Sequence, residues 1–425
     1  MHILFLSDNF PPETNAPASR TFEHCREWVR AGHDVTVITC APNFPEGKLF
    51  AGYKNRLWQS ESVDGIRVIR VWTLIVSNSG RIRRSLDYMS FLLTSFLAAI
   101  FVRRVDVVVG TSPQFFAVCA AWGASLVKRA PFVFELRDLW PASIGAVKAM
   151  RPGLLLRFLE RIELFLYRRA ALIVALTISF KQNLIARGIP PAKITVVTNG
   201  IDPDLFHPRN KDRDLLASLD LENRFVAGYI GTHGLAHGLD TILDAARLLR
   251  DRGHDHIRFL IVGPGAERRQ LINRTKAEQL SNIRFVDPVC RTEVPRYWSM
   301  LDCSLVHLRR DPVFETVIPS KLFEAMAMGV PTILGVKGEA AQLVQETQSG
   351  VLVAPEDAAA MAKAILDLEA NTKLRRQISE NAVQAAQNFK RSFLAQKMLA
   401  ALGDVLTRPL GQQEASTAVR QLPAE

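Results

Sequence analysis

What most limits the folds open to this chain is a series of short, continuous apolar runs. They lie at residues 3–7, 35–39, 105–109, 132–135, 172–175 and 194–197, and again at 225–230, 257–262, 282–286, 303–308 and 332–334. Runs without polar alternation belong to strands buried on both faces, and such strands pair in parallel because the covering layers are helices. The intervening stretches read as helices. Phe22, Cys25, Trp28 and Val29 recur at helical spacing and Gly32 ends that helix. Asp64-Gly65, just before the run 66–72, predicts a hairpin turn. The pattern predicts an α/β chain of doubly wound, Rossmann-like sheets. At 425 residues it is long enough for two domains. The polar segment 202–223, with two prolines, is the expected linker.

In open α/β sheets, ligands sit beyond the carboxyl ends of the strands. The stretch that follows the run 303–308 carries most there: Asp311-Pro312-Val313-Phe314-Glu315-Thr316-Val317-Ile318-Pro319-Ser320-Lys321-Leu322-Phe323-Glu324. Ser320 is the expected N-cap of a short helix, with Gly329 and Pro331 as its stop. A loop feeding a helix N-terminus offers amide N–H groups and a positive dipole end to a phosphate. Lys321 adds a charge, and Glu324 suits a ribose or sugar diol. An ordinary capped strand–loop–helix unit reads equally well from spacing alone.

Other loops in this position are informative. Gly231-Thr232-His233-Gly234-Leu235-Ala236-His237-Gly238 follows the run 225–230, and its glycines can bare amides toward a diphosphate ahead of a helix starting near Gly238. His233 and His237 can donate hydrogen bonds while neutral; no nearby carboxylate joins them, so no metal is expected. Gly263-Pro264-Gly265 is a weaker loop signal, and Asp287 is expected at the rim. After the first run, Phe10-Pro11-Pro12-Glu13-Thr14-Asn15-Ala16 lacks the G-x-G-x-x-G of a nicotinamide site, which counts against a redox cofactor. Glu135-Leu136-Arg137-Asp138-Leu139-Trp140-Pro141 places charge at the end of a buried strand, where it must be paired or used. Asp138 is a candidate base or hydrogen-bond acceptor for an acceptor hydroxyl.

The charge is unevenly placed. Residues 1–200 hold 25 Lys and Arg against 14 Asp and Glu, and so carry the whole net charge of +11. That points to an anionic partner for the first half. Two helices there suit a membrane surface. Residues 88–102 are mostly apolar, between Arg81, Arg83, Arg84 and Arg103, Arg104. Residues 154–169 put Leu155, Leu159, Ile162 and Leu166 on one face and Arg157, Arg161 and Arg168 on another. Both also fit as helices packed on the sheet. Five cysteines without paired spacing read as core residues of a reducing compartment.

Glu324-Ala325-Met326-Ala327-Met328-Gly329-Val330-Pro331 resembles the second half of the carboxylate signature of retaining glycosyltransferases of family 4. The form T-V-I-P-S-K-L-F-E-A-M-A-M-G is similar to the fucosamine-transferase-like (WbuB-type) branch, as are Asn15-Ala16, the loop from Ala41 through Asn43 to Lys48, and R-D-L-W-P. Thr198-Asn199-Gly200-Ile201-Asp202 matches the family's hinge motif, with Thr198 for Pro. Three departures stand out. Thr316 occupies the first carboxylate position, with Glu315 beside it; Asn15-Ala16 replaces Gly-Gly; Thr232 and His237 replace the Arg and Lys that hold the diphosphate.

The resemblance implies the GT-B fold, two doubly wound domains facing a cleft. Residues 1–202 would bind acceptor and face the membrane, and 203–386 would bind nucleotide sugar. Residues 387–407 would form a helix crossing back to the first domain, and 408–425 a disordered tail. The implied activity is retaining transfer of an N-acetylated hexosamine, such as N-acetylfucosamine, from a UDP-sugar to a polyprenyl diphosphate-linked saccharide in surface polysaccharide assembly. The implied setting is the cytoplasmic face of the plasma membrane, with no cofactor, metal or nucleic acid. Asp138, Glu315, Thr316 and Lys321 would be catalytic. Asn15, Ala16, Gly231, His233, Gly234, His237, Val289, Ile318, Ser320, Lys321 and Glu324 would hold the nucleotide sugar, and Asn43, Arg137 and Asp138 the acceptor. A UDP-sugar 2-epimerase of the same fold and a non-catalytic binding protein on a decayed fold are the alternatives.

Overall fold

The computed structural model describes residues 1–44, 47–76, 81–139 and 153–407. Two compact units form, one from Met1–Thr198 with the segment that begins at Ser392, the other from Asn199–Arg391. The first unit holds β1 (His2–Leu6), β2 (Asp34–Cys40), β3 (Trp58–Val63), β4 (Ile66–Val71), β5 (Val107–Thr111), β6 (Phe132–Leu136), β7 (Leu172–Ala175) and β8 (Ile194–Val196). Their order is β3-β4-β2-β1-β5-β6-β7-β8, parallel except for the β3–β4 hairpin. That hairpin turns on Asp64 and Gly65, both at positive φ, as the pair predicts. Ile3, Phe5, Val35, Val37, Val107 and Val109 fill one face, which the helix Arg391–Thr407 helps cover through Leu394, Met398 and Leu402. Trp28, buried in that core, donates from Nε1 to the Ala395 carbonyl at 2.9 Å.

The second unit holds β9 (Phe225–Ile230), β10 (Ile257–Val262), β11 (Ile283–Val286), β12 (Cys303–His307), β13 (Thr332–Gly335) and β14 (Gly350–Leu352). The order is β11-β10-β9-β12-β13-β14, all parallel. Alternate residues of β9 enter opposite cores: Val226 and Ile230 pack on one face, Ala227 and Tyr229 on the other. Both units are therefore doubly wound, Rossmann-like α/β layers.

The segment 202–223 is not a linker. Phe206, Leu216 and Leu221 are buried in the second unit's core, and Asp212 caps the helix Arg213–Ser218. Its polar residues face outward and hid three core anchors. Two strands went unread, both at sheet edges. β3 alternates exposed and half-buried residues, and β14 is only 3 residues long. Cys25, Cys40 and Cys303 are buried, and none of the five cysteines is in a disulfide. Among the described residues, no helix is long and apolar enough to cross a membrane. The segment 408–425 and Trp140-Pro141 lie outside the described residues.

Candidate functional site

In the second unit the strand order reverses between β9 and β12. Chain leaving β9 heads for β10 on one side, and chain leaving β12 heads for β13 on the other. The loops at their carboxyl ends diverge and leave a hollow at the switch point. Gly231 through Gly238 form one wall. Gly231 stands at φ +146 and Gly238 at φ +55, and the turn Leu235–His237 leads to a helix that starts at Asp240. Gly263-Pro264-Gly265 props this loop from behind. His233 N donates to the Pro264 carbonyl at 2.6 Å, and Glu267 N donates to the His233 carbonyl at 3.0 Å. A side chain at Gly263 would collide with the Gly231 carbonyl, and one at Gly265 with the His233 carbonyl. The weaker glycine signal is thus a support for the stronger one.

Lys321 lies at this switch point, between Tyr229 and Gly231. The helix Ser320–Met328 has Pro319 at its N-cap position and no side-chain cap, so Ser320 is the first helical residue rather than the cap. Ser320 Oγ instead accepts from Asn199 Nδ2 at 3.2 Å. Gly329, at φ +68, stops the helix as expected. The Lys321 ammonium lies 3.7 Å from the centroid of the Tyr229 ring. It also rests against Gly231, where a Cβ would approach Nζ to 3.0 Å. Lys321 is 8% exposed, and its Nζ has no hydrogen-bond partner. Burial pulls the amine down from 10.5 to about 7, and the Glu324 carboxylate only partly opposes this. Tyr229 is fully buried and donates its hydroxyl to the Thr232 carbonyl at 2.6 Å.

Two histidines flank the amine. His233 is buried with neither ring nitrogen bonded, and His237 Nδ1 is likewise unbonded. Burial, with Arg268 and Lys321 nearby, holds His233 down at about 4; burial and Lys321 hold His237 well below its ordinary value. Both are neutral donors at the switch point. His307, at the end of β12, sets the position of this loop. Its Nδ1 donates to the His237 carbonyl at 2.7 Å, and its Nε2 accepts from Glu356 N at 2.9 Å, which fixes the tautomer. Gly335 and Gly238 leave room for its ring. Tyr229 and His307 were missed in the sequence because each looks like a strand residue until the switch point is known.

Glu324 accepts a hydrogen bond from the buried Trp298 indole at 3.3 Å, which orients the carboxylate. Upstream, Pro312–Thr316 forms a tight turn capped by Asp311, which accepts from Val313 N at 2.9 Å. Thr316 Oγ1 donates to the Val313 carbonyl at 2.6 Å. Glu315 instead joins Arg309, Arg310 and Lys337 around a shallow pocket, with Gly338 pressed on its backbone. Val289 and Ile318 are half-buried against the core, and Asp287 is exposed and paired with Arg268 at 2.7 Å.

In the first unit the loops after β1, β2, β5 and β6 share one edge of the sheet. Asn15 caps the helix Ala16–Arg30, its side chain accepting from Ala18 N at 2.8 Å and bonding Asn9. Glu13, unread in the sequence, ties two loops together: Oε1 accepts from Asn43 N at 2.8 Å and from Phe44 N at 2.9 Å. The Arg137 amide donates to Ser112 Oγ at 2.8 Å, and its guanidinium donates to the Pro17 carbonyl at 3.1 Å. Asp138 follows it, half-buried. The buried charge of Glu135 is met by Arg20 at 2.8 Å, and Arg20 also donates to the Val197 and Thr198 carbonyls. Among the described residues, no three His, Cys, Asp or Glu side chains gather as a metal-holding group.

Comparison with known proteins agrees with this arrangement. Residues 15–200 match the model of the glycosyl transferase 4-like domain, and residues 212–385 that of glycosyl transferases group 1. Both halves belong to glycosyl transferase families. The chain is 26% identical over 414 residues to WcaI of Escherichia coli, a protein named for glycosyl transfer in colanic acid biosynthesis, covering 93% of this glycosyltransferase-family chain and 99% of that one. Among solved structures, it is similar to the sucrose-phosphate synthase of Thermosynechococcus elongatus with a TM-score of 0.75 at 17% identity, covering 95% and 98% of the two chains. The Anabaena protein HepE, solved with UDP and glucose, gives a TM-score of 0.72 at 18% identity, covering 94% and 99%. These likenesses establish the GT-B fold.

Proposed function

We propose that this chain transfers a sugar from a UDP-sugar to a lipid-held saccharide in surface polysaccharide assembly. The observation that carries the reading is the buried, unpartnered Lys321 ammonium facing a glycine loop at the switch point. A cation without a partner, beside neutral histidine donors and an uncapped helix N-terminus, suits a diphosphate. Glu324, oriented by Trp298, is the ribose ligand. The support from relatives is that HepE was solved with UDP and glucose and that WcaI is named for glycosyl transfer in colanic acid biosynthesis.

The transfer retains configuration. The acceptor hydroxyl oxygen bonds to the sugar's anomeric carbon on the face the diphosphate leaves. The carbon–oxygen bond to the diphosphate breaks, and the hydroxyl proton passes to the departing phosphate oxygen. Lys321 and the helix N-terminus stabilise the charge that develops on that oxygen. Glu315 meets the donor sugar, in place of the carboxylate absent at Thr316, and Asn43, Arg137 and Asp138 meet the acceptor. The sugar is an N-acetylated hexosamine, as in the fucosamine-transferase-like branch.

The acceptor is held at the cytoplasmic face of the membrane, where the first unit docks on anionic lipid. On the helix Arg81–Phe101, Leu86, Met89, Leu93 and Leu97 are exposed along one stripe, with Arg83, Arg103 and Arg104 exposed at its ends. On Leu154–Arg169, Leu154 and Phe158 are exposed beside Arg157 and Arg161. The decisive experiment incubates the chain with UDP-N-acetylhexosamines and a polyprenyl diphosphate saccharide and looks for the extended lipid by mass spectrometry. Product with retained anomeric configuration is expected. Epimerisation of the UDP-sugar with no acceptor present, or no UDP binding at all, refutes it.

A further inference from the structure

The basic groups at the switch point share a property that diphosphate binding alone does not require. Lys321 Nζ, both ring nitrogens of His233 and Nδ1 of His237 are buried without hydrogen-bond partners. They come from a helix and from one glycine loop, and they converge on Tyr229: the amine lies 3.7 Å from its ring centroid and the two imidazoles 5.9 Å each. The charged and titratable groups that face them are few. Tyr229 lies under the amine, with its proton committed to Thr232. Glu324 lies on the amine's own helix and is held by Trp298. His307 bonds the His237 carbonyl and Glu356 N. Arg268 pairs with Asp287, and Arg309 with Glu267. Among the described residues no carboxylate bonds Lys321, and Glu324 acts on it only through space, so an anion arriving at the amine would be its first directly bonded counter-ion.

Given the donor site proposed above, we propose that the pocket takes its diphosphate together with a proton, which Lys321 accepts from solvent as the nucleotide enters. Burial leaves the amine near 7, so above that pH it is largely neutral. A diphosphate beside it favours the charged form and moves its titration upward. Binding then consumes one proton per nucleotide between those two values, and affinity weakens about tenfold per pH unit across the same interval. The loop itself contributes Thr232 and His237, neither of them a permanent charge, so the charge arrives with the ligand.

The test is calorimetric titration of UDP into the full chain at about pH 8, in buffers of different ionisation heat. The second phosphate ionisation, near about 6, is complete at that pH, so UDP itself supplies no proton. The expected result is an uptake of about 0.9 proton per UDP, and a dissociation constant that rises about tenfold between about pH 7.5 and 8.5. Lys321→Arg carries a permanent charge and is expected to bind with an uptake near zero. His233→Asn is expected to keep the uptake, since burial holds that ring at about 4, far below the pH of the titration. Wild-type binding without proton uptake overturns the proposal and leaves the donor site standing, as does full uptake in Lys321→Arg. If UDP gives neither heat nor thermal stabilisation at any pH, the donor reading fails and the proposal with it.

Discussion

Lys321→Met should make the empty protein more stable while removing its affinity for UDP. The amine falls from 10.5 to about 7 on folding. At about 1.4 kcal/mol per pH unit, that depression corresponds to a cost of ~5 kcal/mol at neutral pH. Met gives up the side chain's contact with the Tyr229 ring, which takes back up to ~2 kcal/mol and leaves a net gain of ~3 kcal/mol. For a unit of this size that is a rise of roughly 6–12 °C in the unfolding temperature of the second unit. The sign of the pH dependence follows. Because the folded amine titrates lower than the unfolded one, wild-type stability rises between about pH 7 and 10.5 and is flat below; the variant should lack that slope. Thermal melts without ligand at several pH values, paired with UDP calorimetry, measure both arms. A variant that melts at or below the wild-type temperature at neutral pH would show that the ammonium is compensated, and the argument from the unpartnered cation would collapse.

Four further outcomes are expected. Glu324→Ala should lower UDP affinity by about 100-fold through loss of two charge-assisted hydroxyl bonds, with little change in the unfolding temperature; unchanged affinity by calorimetry rejects the ribose role. Gly265→Ala places a methyl against the His233 carbonyl at φ +156; it should cost ~1–3 kcal/mol in urea unfolding and weaken UDP binding as the supported loop shifts. Arg20→Met leaves Glu135 buried without its partner and should cost ~3–5 kcal/mol, much of it regained in the Arg20→Met/Glu135→Leu double variant, again by urea unfolding. Leu93→Glu with Leu97→Glu should abolish sedimentation with phosphatidylserine vesicles while UDP affinity stays at the wild-type value.

The fold was legible because parallel strands buried on both faces write themselves as unbroken apolar runs. β7, β9 and β10 lie where the runs lie. The hairpin at Asp64-Gly65 and the helix stop at Gly329 were legible because positive φ demands particular residues. Lys321 and Glu324 stood out as charges in an apolar helix. What was not legible depends on neighbours distant in sequence. Ser320 resembles a cap, but its hydroxyl is bonded to Asn199. Phe206 and Leu221 are sparse in a polar stretch, so their burial appears only when β9 and the helix Val294–Ser299 are placed beside them. His307, Tyr229 and Glu13 act through partners 70, 92 and 30 residues away, which no local pattern announces.

The helix Arg391–Thr407 has a consequence for how the molecule is made. Its Leu394, Ala395 and Met398 belong to the same core as Ile3 and Trp28. A ribosome therefore delivers most of the first unit early and its last wall only after the whole of Asn199–Arg391 has been synthesised. At about 5–20 residues per second, the interval is roughly 10–40 s. During that wait the second unit, which is contiguous, can fold unaided, while the part of the first sheet's face that Leu394, Met398 and Leu402 cover stays open and needs a chaperone or a surface to shield it. A circularly permuted gene that begins with this helix would remove the delay.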